Sequence, residues 1–138
     1  MKSLPAFACI ALLLLCAAPL AAQNTYRVIV GHSGTQLTFQ HPDGHGNNGN
    51  QNAKTSDIVR WTCASSLQRC TVAVTFKDGN SPCSAAVGPS NGTASCNISV
   101  GAGNTGYVGT YKYTITVSSG GVNYETDPEI IINNGSSQ

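Results

Sequence analysis

In the stretch YKYTITV (residues 111–117), apolar and polar side chains alternate at every position. β-Branched and aromatic residues with this period of two are typical of a strand that buries one face and exposes the other. The stretch therefore predicts a half-buried strand. Its buried face would carry Tyr111, Tyr113, Ile115 and Val117, and its exposed face Lys112, Thr114 and Thr116.

The same alternation recurs on both sides of this stretch. Seven further segments predict strands: 26–30, 36–39, 58–62, 71–76, 96–100, 122–124 and 129–132. Between them, 84–90 could form one helical turn, and the Gly/Asn-rich stretch 41–54 predicts a long loop, which is either functional or mobile. The pattern predicts one all-β domain over residues 23–138, a Greek-key β-sandwich of about seven or eight strands.

The first 22 residues predict a secretory signal peptide of bacterial type. Met1 and Lys2 precede an apolar run over 7–15, and small residues lead to a cleavage position after Ala22. The apolar run is shorter than the roughly 20 residues needed to span a bilayer. We therefore expect an exported protein, periplasmic or extracellular, without stable membrane insertion.

The charge balance argues against a polyanionic partner such as nucleic acid. The chain has seven Lys and Arg and six Asp and Glu. Lys2 leaves with the signal peptide, so the mature domain has six of each and a net charge of zero. Because no basic stripe is present, phosphate-backbone binding lacks its electrostatic driving force, and we expect no nucleic-acid partner. An extracytoplasmic protein or ligand is the expected partner, but the sequence does not identify it and leaves the oligomeric state open.

Four cysteines remain after the signal peptide: Cys63, Cys70, Cys83 and Cys96. An even number in an exported domain predicts disulfides, and three pairings are open. The pairing Cys63–Cys70 with Cys83–Cys96 is favoured because each bond would close a short loop between neighbouring strands. Each closure would contribute about 2.5 to 3 kcal/mol in the chain-entropy model. The alternatives of a zinc site or a redox pair lack the tight cysteine spacing that they require.

Four segments together resemble the strand motifs of cupredoxins, the plastocyanin-like domains. They are DIVRW (57–61), CTVAVTF (70–76), GTYKY (109–113) and PEIII (128–132), which resemble the family's D-x-V-x-W, H-x-V-x-F, G-x-Y-x-Y and final apolar strand. The resemblance covers about residues 25 to 133. Immunoglobulin-like sandwiches share the Gly-x-Tyr part of it. The resemblance implies a cupredoxin-like sandwich.

The copper ligands of that family do not match. A type 1 copper site uses two His and a Cys, usually with an axial Met. Cys70 stands at the position of the first family His, and Ile115 stands near that of the family Cys. Residues 118–127 contain neither His nor Met. The resemblance therefore implies the fold without its electron-transfer copper, and no cofactor is expected.

The histidines suggest a different metal site. His32, His41 and His45 lie within one stretch of fourteen residues, and His41 and His45 flank Asp43. Imidazole is a common ligand of copper and zinc, and a glycine-rich loop could wrap an ion. The alternative interpretation is an exposed, ordinarily solvated loop.

Catalysis is harder to assign. The histidines share one segment, and the cysteines are expected to be oxidised. An acidic cluster near the last predicted strand consists of Glu125, Asp127 and Glu129 and has two interpretations. It could serve acid–base catalysis or bind calcium, or it could be a solvated turn. Trp61, Tyr111 and Tyr113 are predicted core residues rather than a carbohydrate-stacking platform, and Tyr107 is the aromatic residue expected to be exposed.

We therefore predict a non-enzymatic extracytoplasmic binding or accessory module whose ligand the sequence does not name. The alternatives are a periplasmic metal-binding protein that uses the loop from His41 to His45, and a small secreted enzyme or enzyme inhibitor.

Overall fold

The computed structural model describes residues 22–98 and 108–133. These residues form eleven β-strands and one short 3₁₀ helix, Lys77–Gly79. The strands are β1 Thr25–Ser33, β2 Gln36–Gln40, β3 Gly46–Asn47, β4 Asn50–Lys54, β5 Ile58–Cys63, β6 Thr71–Phe76, β7 Val87–Asn91, β8 Thr93–Asn97, β9 Gly109–Ser119, β10 Val122–Thr126 and β11 Glu129–Asn133. The predicted all-β class is confirmed.

The strands form two sheets. One has four strands in the order β2-β1-β5-β8, and the other has seven, in the order β3-β4-β11-β9-β6-β7 with β10 also paired to β9. Strand β1 runs parallel to β5, and β4 runs parallel to β11. All the other named strand pairs are antiparallel.

The apolar core lies between the sheets and follows the predicted alternation. On β9, Tyr111, Tyr113, Ile115 and Val117 are buried. They meet Val28, Val30, Val59 and Trp61 of the other sheet within one cluster of buried side chains. Full burial of a side chain of this size stabilises a fold by about 1.5 to 3 kcal/mol. The prediction that Trp61, Tyr111 and Tyr113 belong to the core is confirmed, and Tyr107 lies outside the described residues.

Three strands were not predicted from the sequence. Strands β3 and β4 form within the Gly/Asn-rich stretch that predicted an irregular loop. Strand β7 occupies the stretch that suggested a helical turn. It pairs with β6 as the last strand of its sheet, a position that tolerates its Pro89. These additions explain why eleven strands occur where seven or eight were expected.

Two disulfides tie the strands together. Cys63 at the end of β5 is bonded to Cys70 just before β6, and this bond links the two sheets. Cys83 is bonded to Cys96 of β8. These are the two pairs that the sequence favoured. No helix in the described residues is long and apolar enough to cross a membrane, and the predicted signal peptide lies outside them except for Ala22.

Candidate functional site

The predicted metal ligands His41, Asp43 and His45 lie in the hairpin of β3 and β4 together with the turn before it, residues 41–54. We call this segment the histidine hairpin. Strand β3 pairs with β4, and β4 pairs in parallel with β11 at the edge of the larger sheet. The backbone N–H of Asn52 also donates to the carbonyl of His45, at 2.8 Å. The histidine hairpin is therefore an ordered part of the sheet.

Gln51 holds the histidine hairpin from inside. Its side chain is fully buried, and its Nε2 donates to the carbonyl oxygens of His45 at 2.9 Å and of Asn52 at 2.7 Å. Its Oε1 lies 3.1 Å from Nδ1 of His41. Because both amide hydrogens already have acceptors, the network assigns Oε1 as an acceptor and His41 Nδ1 as its N–H donor.

This assignment fixes the tautomer of neutral His41. With the proton on Nδ1, the Nε2 atom carries a lone pair, and this buried atom has no hydrogen-bond partner within residues 22–98 and 108–133. A ring nitrogen whose opposite N–H is oriented by an acceptor is the arrangement found at many metal-binding histidines. His41 is thus the predicted ligand residue whose geometry best suits a metal.

The ring of His41 also lies directly against the backbone of Gly46. A Cβ atom on Gly46 would meet the carbonyl oxygen of Asn50, and it would come within 2.5 Å of His41 Nδ1. Real Cβ atoms do not approach other heavy atoms this closely, so the close approach requires glycine at this position.

The other predicted metal ligands have separate partners. Asp43 Oδ2 accepts the backbone N–H of Arg27 at 2.8 Å, and Oδ1 accepts that of His45 at 3.3 Å. The ring of His45 lies 4.8 Å from that of Tyr26. His32 stacks on Tyr124 of the other sheet at 4.3 Å. In residues 22–98 and 108–133, no three His, Cys, Asp or Glu side chains form a group that could hold a metal ion.

A shallow open depression of about 300 Å³ lies on the outer side of the histidine hairpin. Uncharged residues line it: Gly44, Gly46, Asn47, Asn50, Asn52 and Ile131. Asn50 is fixed in place, because its Oδ1 accepts the backbone N–H of Glu129 at 2.9 Å. Amide side chains and glycine backbone offer both donors and acceptors, which suits a neutral, hydrogen-bonding ligand.

A buried carboxylate supports the base of the histidine hairpin. Asp57 is 2% exposed, and its two oxygens accept the backbone N–H groups of Asn24 at 3.1 Å and of Lys54 at 2.9 Å. The nearby phenol of Tyr26 has a raised pKa, mainly because it is desolvated and secondarily because the negative charges of Asp57 and Asp43 oppose its ionisation. The sequence motif contained Asp57 but did not reveal this role.

The acidic residues near the last strand do not meet at one point. Asp127 accepts from Lys77 Nζ at 2.5 Å and from Thr114 Oγ1 at 2.6 Å, and these two bonds lower the pKa of its carboxyl. Glu125 accepts from Thr116 at 3.3 Å, and Glu129 pairs with Lys112 at 3.7 Å. Each carboxylate therefore has its own partner along β9 or on the 3₁₀ helix, as in a solvated cross-strand ladder.

The structure shows the state of two side chains, Cys70 and Ile115, that the sequence resemblance aligned with copper ligands. The sulfur of Cys70 is held in a disulfide, and Ile115 is fully buried in the apolar core. Neither side chain can bind a metal ion there.

No known protein family matches the chain, and no curated protein has a significantly similar sequence.

Proposed function

We propose that the protein is an exported, non-enzymatic binding module that recognises a neutral polar ligand, such as an oligosaccharide, on the histidine hairpin. The observation that carries this proposal is the uncharged depression lined by Asn47, Asn50 and Asn52. Two of its lining residues are held by hydrogen bonds: Gln51 Nε2 donates to the carbonyl of Asn52, and the backbone N–H of Glu129 donates to Asn50 Oδ1. A rigid site loses little conformational entropy on binding.

Two features support export and a non-catalytic role. The two disulfides suit an oxidising compartment. They also consume all four cysteines of the mature domain, so no thiol is available as a nucleophile. Intact-mass spectrometry of protein from the native host should give a chain that begins at Gln23 and gains about four hydrogens on reduction. A retained leader or free thiols would contradict the proposed export.

Nuclear magnetic resonance titration tests the binding proposal. The isotopically labelled mature domain would be titrated with malto-, cello- and xylo-oligosaccharides. We expect at least one series to shift the amide signals of Gly44, Gly46 and Asn52. Asn52→Ala should weaken that binding by about tenfold, as expected for the loss of hydrogen bonds in a shaped site.

Asn91→Ala is the matched control, because Asn91 is also an exposed strand asparagine but lies on β7, at the far end of the sheet. Equal losses in the two variants, or signal shifts confined to other regions of the domain, would contradict the proposed site. Cleavage of the oligosaccharide would contradict the non-enzymatic role.

A second candidate function is metal binding, favoured by the free lone pair of His41 Nε2. To gain a second ligand beside His41, a copper or zinc ion would have to displace one of two side chains. Either His45 would leave its contact with Tyr26, or Asp43 would leave the two backbone N–H groups from which it accepts hydrogen bonds. Calorimetry with either ion should show uptake that His41→Ala and His45→Ala both remove, while His32→Ala keeps it. Uptake that survives in both variants, or its absence in the unmodified protein, would eliminate this candidate.

A further inference from the structure

Two arginines stand side by side on the outer face of the four-stranded sheet. Arg27 of β1 and Arg60 of β5 are direct partners in the parallel register of these strands. Both are exposed, and the residues on either side of each are buried, so both side chains lie on the face away from the core. Neighbouring strands are about 4.8 Å apart, which brings two positive charges close together.

Among the described residues, no salt bridge joins a carboxylate to this arginine pair. The salt bridges of the described residues involve Lys77 and Lys112, and neither lysine lies on the four-stranded sheet. Arg60 Nε donates to the hydroxyl of Ser95, at 3.4 Å. Asp43 approaches Arg27, but its oxygens accept the backbone N–H groups of Arg27 and His45.

The neighbouring outward positions of this face carry no charge. Two of them carry partly buried isoleucines, Ile29 and Ile58, and the others on the four strands carry hydroxyl and amide side chains: Thr25, Gln40, Thr62, Thr93, Ser95 and Asn97. The other sheet, in contrast, carries three carboxylates on β10, on β11 or between these strands: Glu125, Asp127 and Glu129. Each has its own partner there. The fold thus gives the four-stranded sheet a positive centre with hydrogen-bonding side chains and two isoleucines around it.

Like charges placed opposite each other on neighbouring strands destabilise a sheet. An anion bridging the two guanidinium groups would reverse this effect. The planar fork of arginine donates two parallel hydrogen bonds to a carboxylate, sulfate or phosphate group. The arrangement therefore suits a ligand that brings one acidic group to the centre of the face.

We propose that the outer face of the four-stranded sheet binds an acidic polysaccharide, a sugar chain with carboxylate or sulfate groups. Arg27 and Arg60 hold one acidic group, and the surrounding hydroxyl and amide side chains bind the sugar hydroxyls on either side. A nucleic acid is disfavoured because tight phosphate-backbone binding uses six to ten cationic contacts, and this face offers about two. This site lies on the opposite sheet from the depression on the histidine hairpin and does not depend on it.

Affinity measurements on the disulfide-intact mature domain test the proposal. The probes are an oligogalacturonide and a sulfated dextran oligosaccharide, with a neutral malto-oligosaccharide, inorganic sulfate and single-stranded DNA for comparison. At physiological ionic strength we expect one of the two acidic sugars to bind more tightly than every comparison probe. Arg27→Gln and Arg60→Gln should each weaken that binding by about tenfold or more, the usual effect of losing hydrogen bonds to a charged group.

Lys112→Gln is the matched control, because it removes the same charge from an exposed strand residue of the other sheet. It should leave the affinity unchanged, and circular dichroism would establish that all three variants are folded. Arg60→Lys should bind less tightly than the unmodified protein, because it retains the charge but loses the fork.

Four results would overturn the proposal: no binding of either acidic sugar, an equal loss in Lys112→Gln, equal affinity for single-stranded DNA, or equal affinity for inorganic sulfate. Asn52→Ala should leave acidic-sugar binding unchanged. A result that contradicts the proposed acidic-sugar site can therefore be distinguished from one that contradicts the proposed site on the histidine hairpin.

Discussion

Trp61 and Tyr113 are hydrogen-bonded to each other across the core, from opposite sheets of the sandwich. Trp61 Nε1 donates to Tyr113 Oη at 3.2 Å, and Tyr113 Oη donates to the carbonyl oxygen of Gly49 at 2.6 Å. The two rings meet edge to face at 5.4 Å between centroids. One fully buried chain of hydrogen bonds therefore joins β5, β9 and the turn of the histidine hairpin.

We expect Tyr113→Phe to lower the free energy of unfolding by about 2 to 4 kcal/mol. The variant leaves the Trp61 N–H and the Gly49 carbonyl without partners in a buried environment. Urea unfolding followed by the fluorescence of Trp61, the only tryptophan of the chain, measures this loss. Tyr124→Phe is the control, because Tyr124 is only half-buried, and it should change the stability by less than about 0.5 kcal/mol. A loss of similar size in both variants would contradict the role of this chain of hydrogen bonds.

Two of the buried tyrosines, Tyr26 and Tyr113, make the free energy of unfolding depend on pH in the alkaline range. Burial raises the pKa of Tyr113 above its ordinary value of 10.0, and burial with two nearby carboxylates raises that of Tyr26. Between the unfolded pKa and the higher folded pKa, the unfolded chain binds fewer protons than the folded protein. The contribution of these phenols to stability is therefore constant below about pH 10 and is lost as the pH rises further. Urea unfolding across this range should show the decline, and Tyr113→Phe should make it shallower. An unchanged slope in the variant would exclude Tyr113 as its source.

We expect Gln51→Leu to destabilise the histidine hairpin by about 2 to 4 kcal/mol. The similar volume of leucine preserves packing, but the carbonyl of Asn52 and the N–H of His41 lose their hydrogen bonds to the Gln51 side chain. The carbonyl of His45 loses one of two donors and keeps the backbone N–H of Asn52. Hydrogen exchange should show faster exchange at the N–H of Asn52, while that of Ile115 in the core strand remains protected. Asn47→Ala, at an exposed position of the same hairpin, should leave both amides unchanged. Equal exchange in Gln51→Leu and the unmodified protein would show that Gln51 does not hold the hairpin.

A comparison of Asp57 with Asp43 separates the effect of burial on stability from the effect of hydrogen bonding. Each carboxylate accepts two backbone N–H groups, but Asp57 is buried and Asp43 is exposed. Replacement by Asn puts an N–H donor against one of these donors. Asp57→Asn should cost about 1 to 3 kcal/mol of unfolding free energy, and Asp43→Asn much less, because water satisfies the groups left unpaired at an exposed site. Thermal or urea unfolding of the two variants measures the difference, and equal costs would contradict the argument.

The alternation in the sequence predicted the strands whose inward positions are apolar. Strand β9 is the clearest example, because four consecutive inward side chains from Tyr111 to Val117 are apolar. Strand β4 escaped prediction because the polar Gln51 occupies a buried position, and only its tertiary partners explain why it is tolerated. Strand β7 escaped because Gly88 and Pro89 are turn residues by composition, although a strand at the edge of a sheet tolerates them.

The candidate sites were less predictable than the fold. Clustering in the sequence singled out His41 and His45, but the structure gives their rings different partners. Nothing in the local sequence shows that Arg27 and Arg60 are neighbours, because their pairing depends on the parallel register of β1 and β5. The relationship to cupredoxins and the absence of enzymatic activity stay predictions.

The parallel pairing of β4 with β11 joins segments from the middle and the end of the chain. Such distant pairings give a fold a high contact order, and domains of this kind fold in milliseconds to seconds rather than microseconds. Until β11 docks, β4 and β9 both lack the strand that lies between them in the larger sheet. Unpaired strand edges favour aggregation. We therefore expect the slowest and most vulnerable stage of folding to be the arrival of β11, so that a chain shortened before this strand would aggregate rather than form a smaller sandwich.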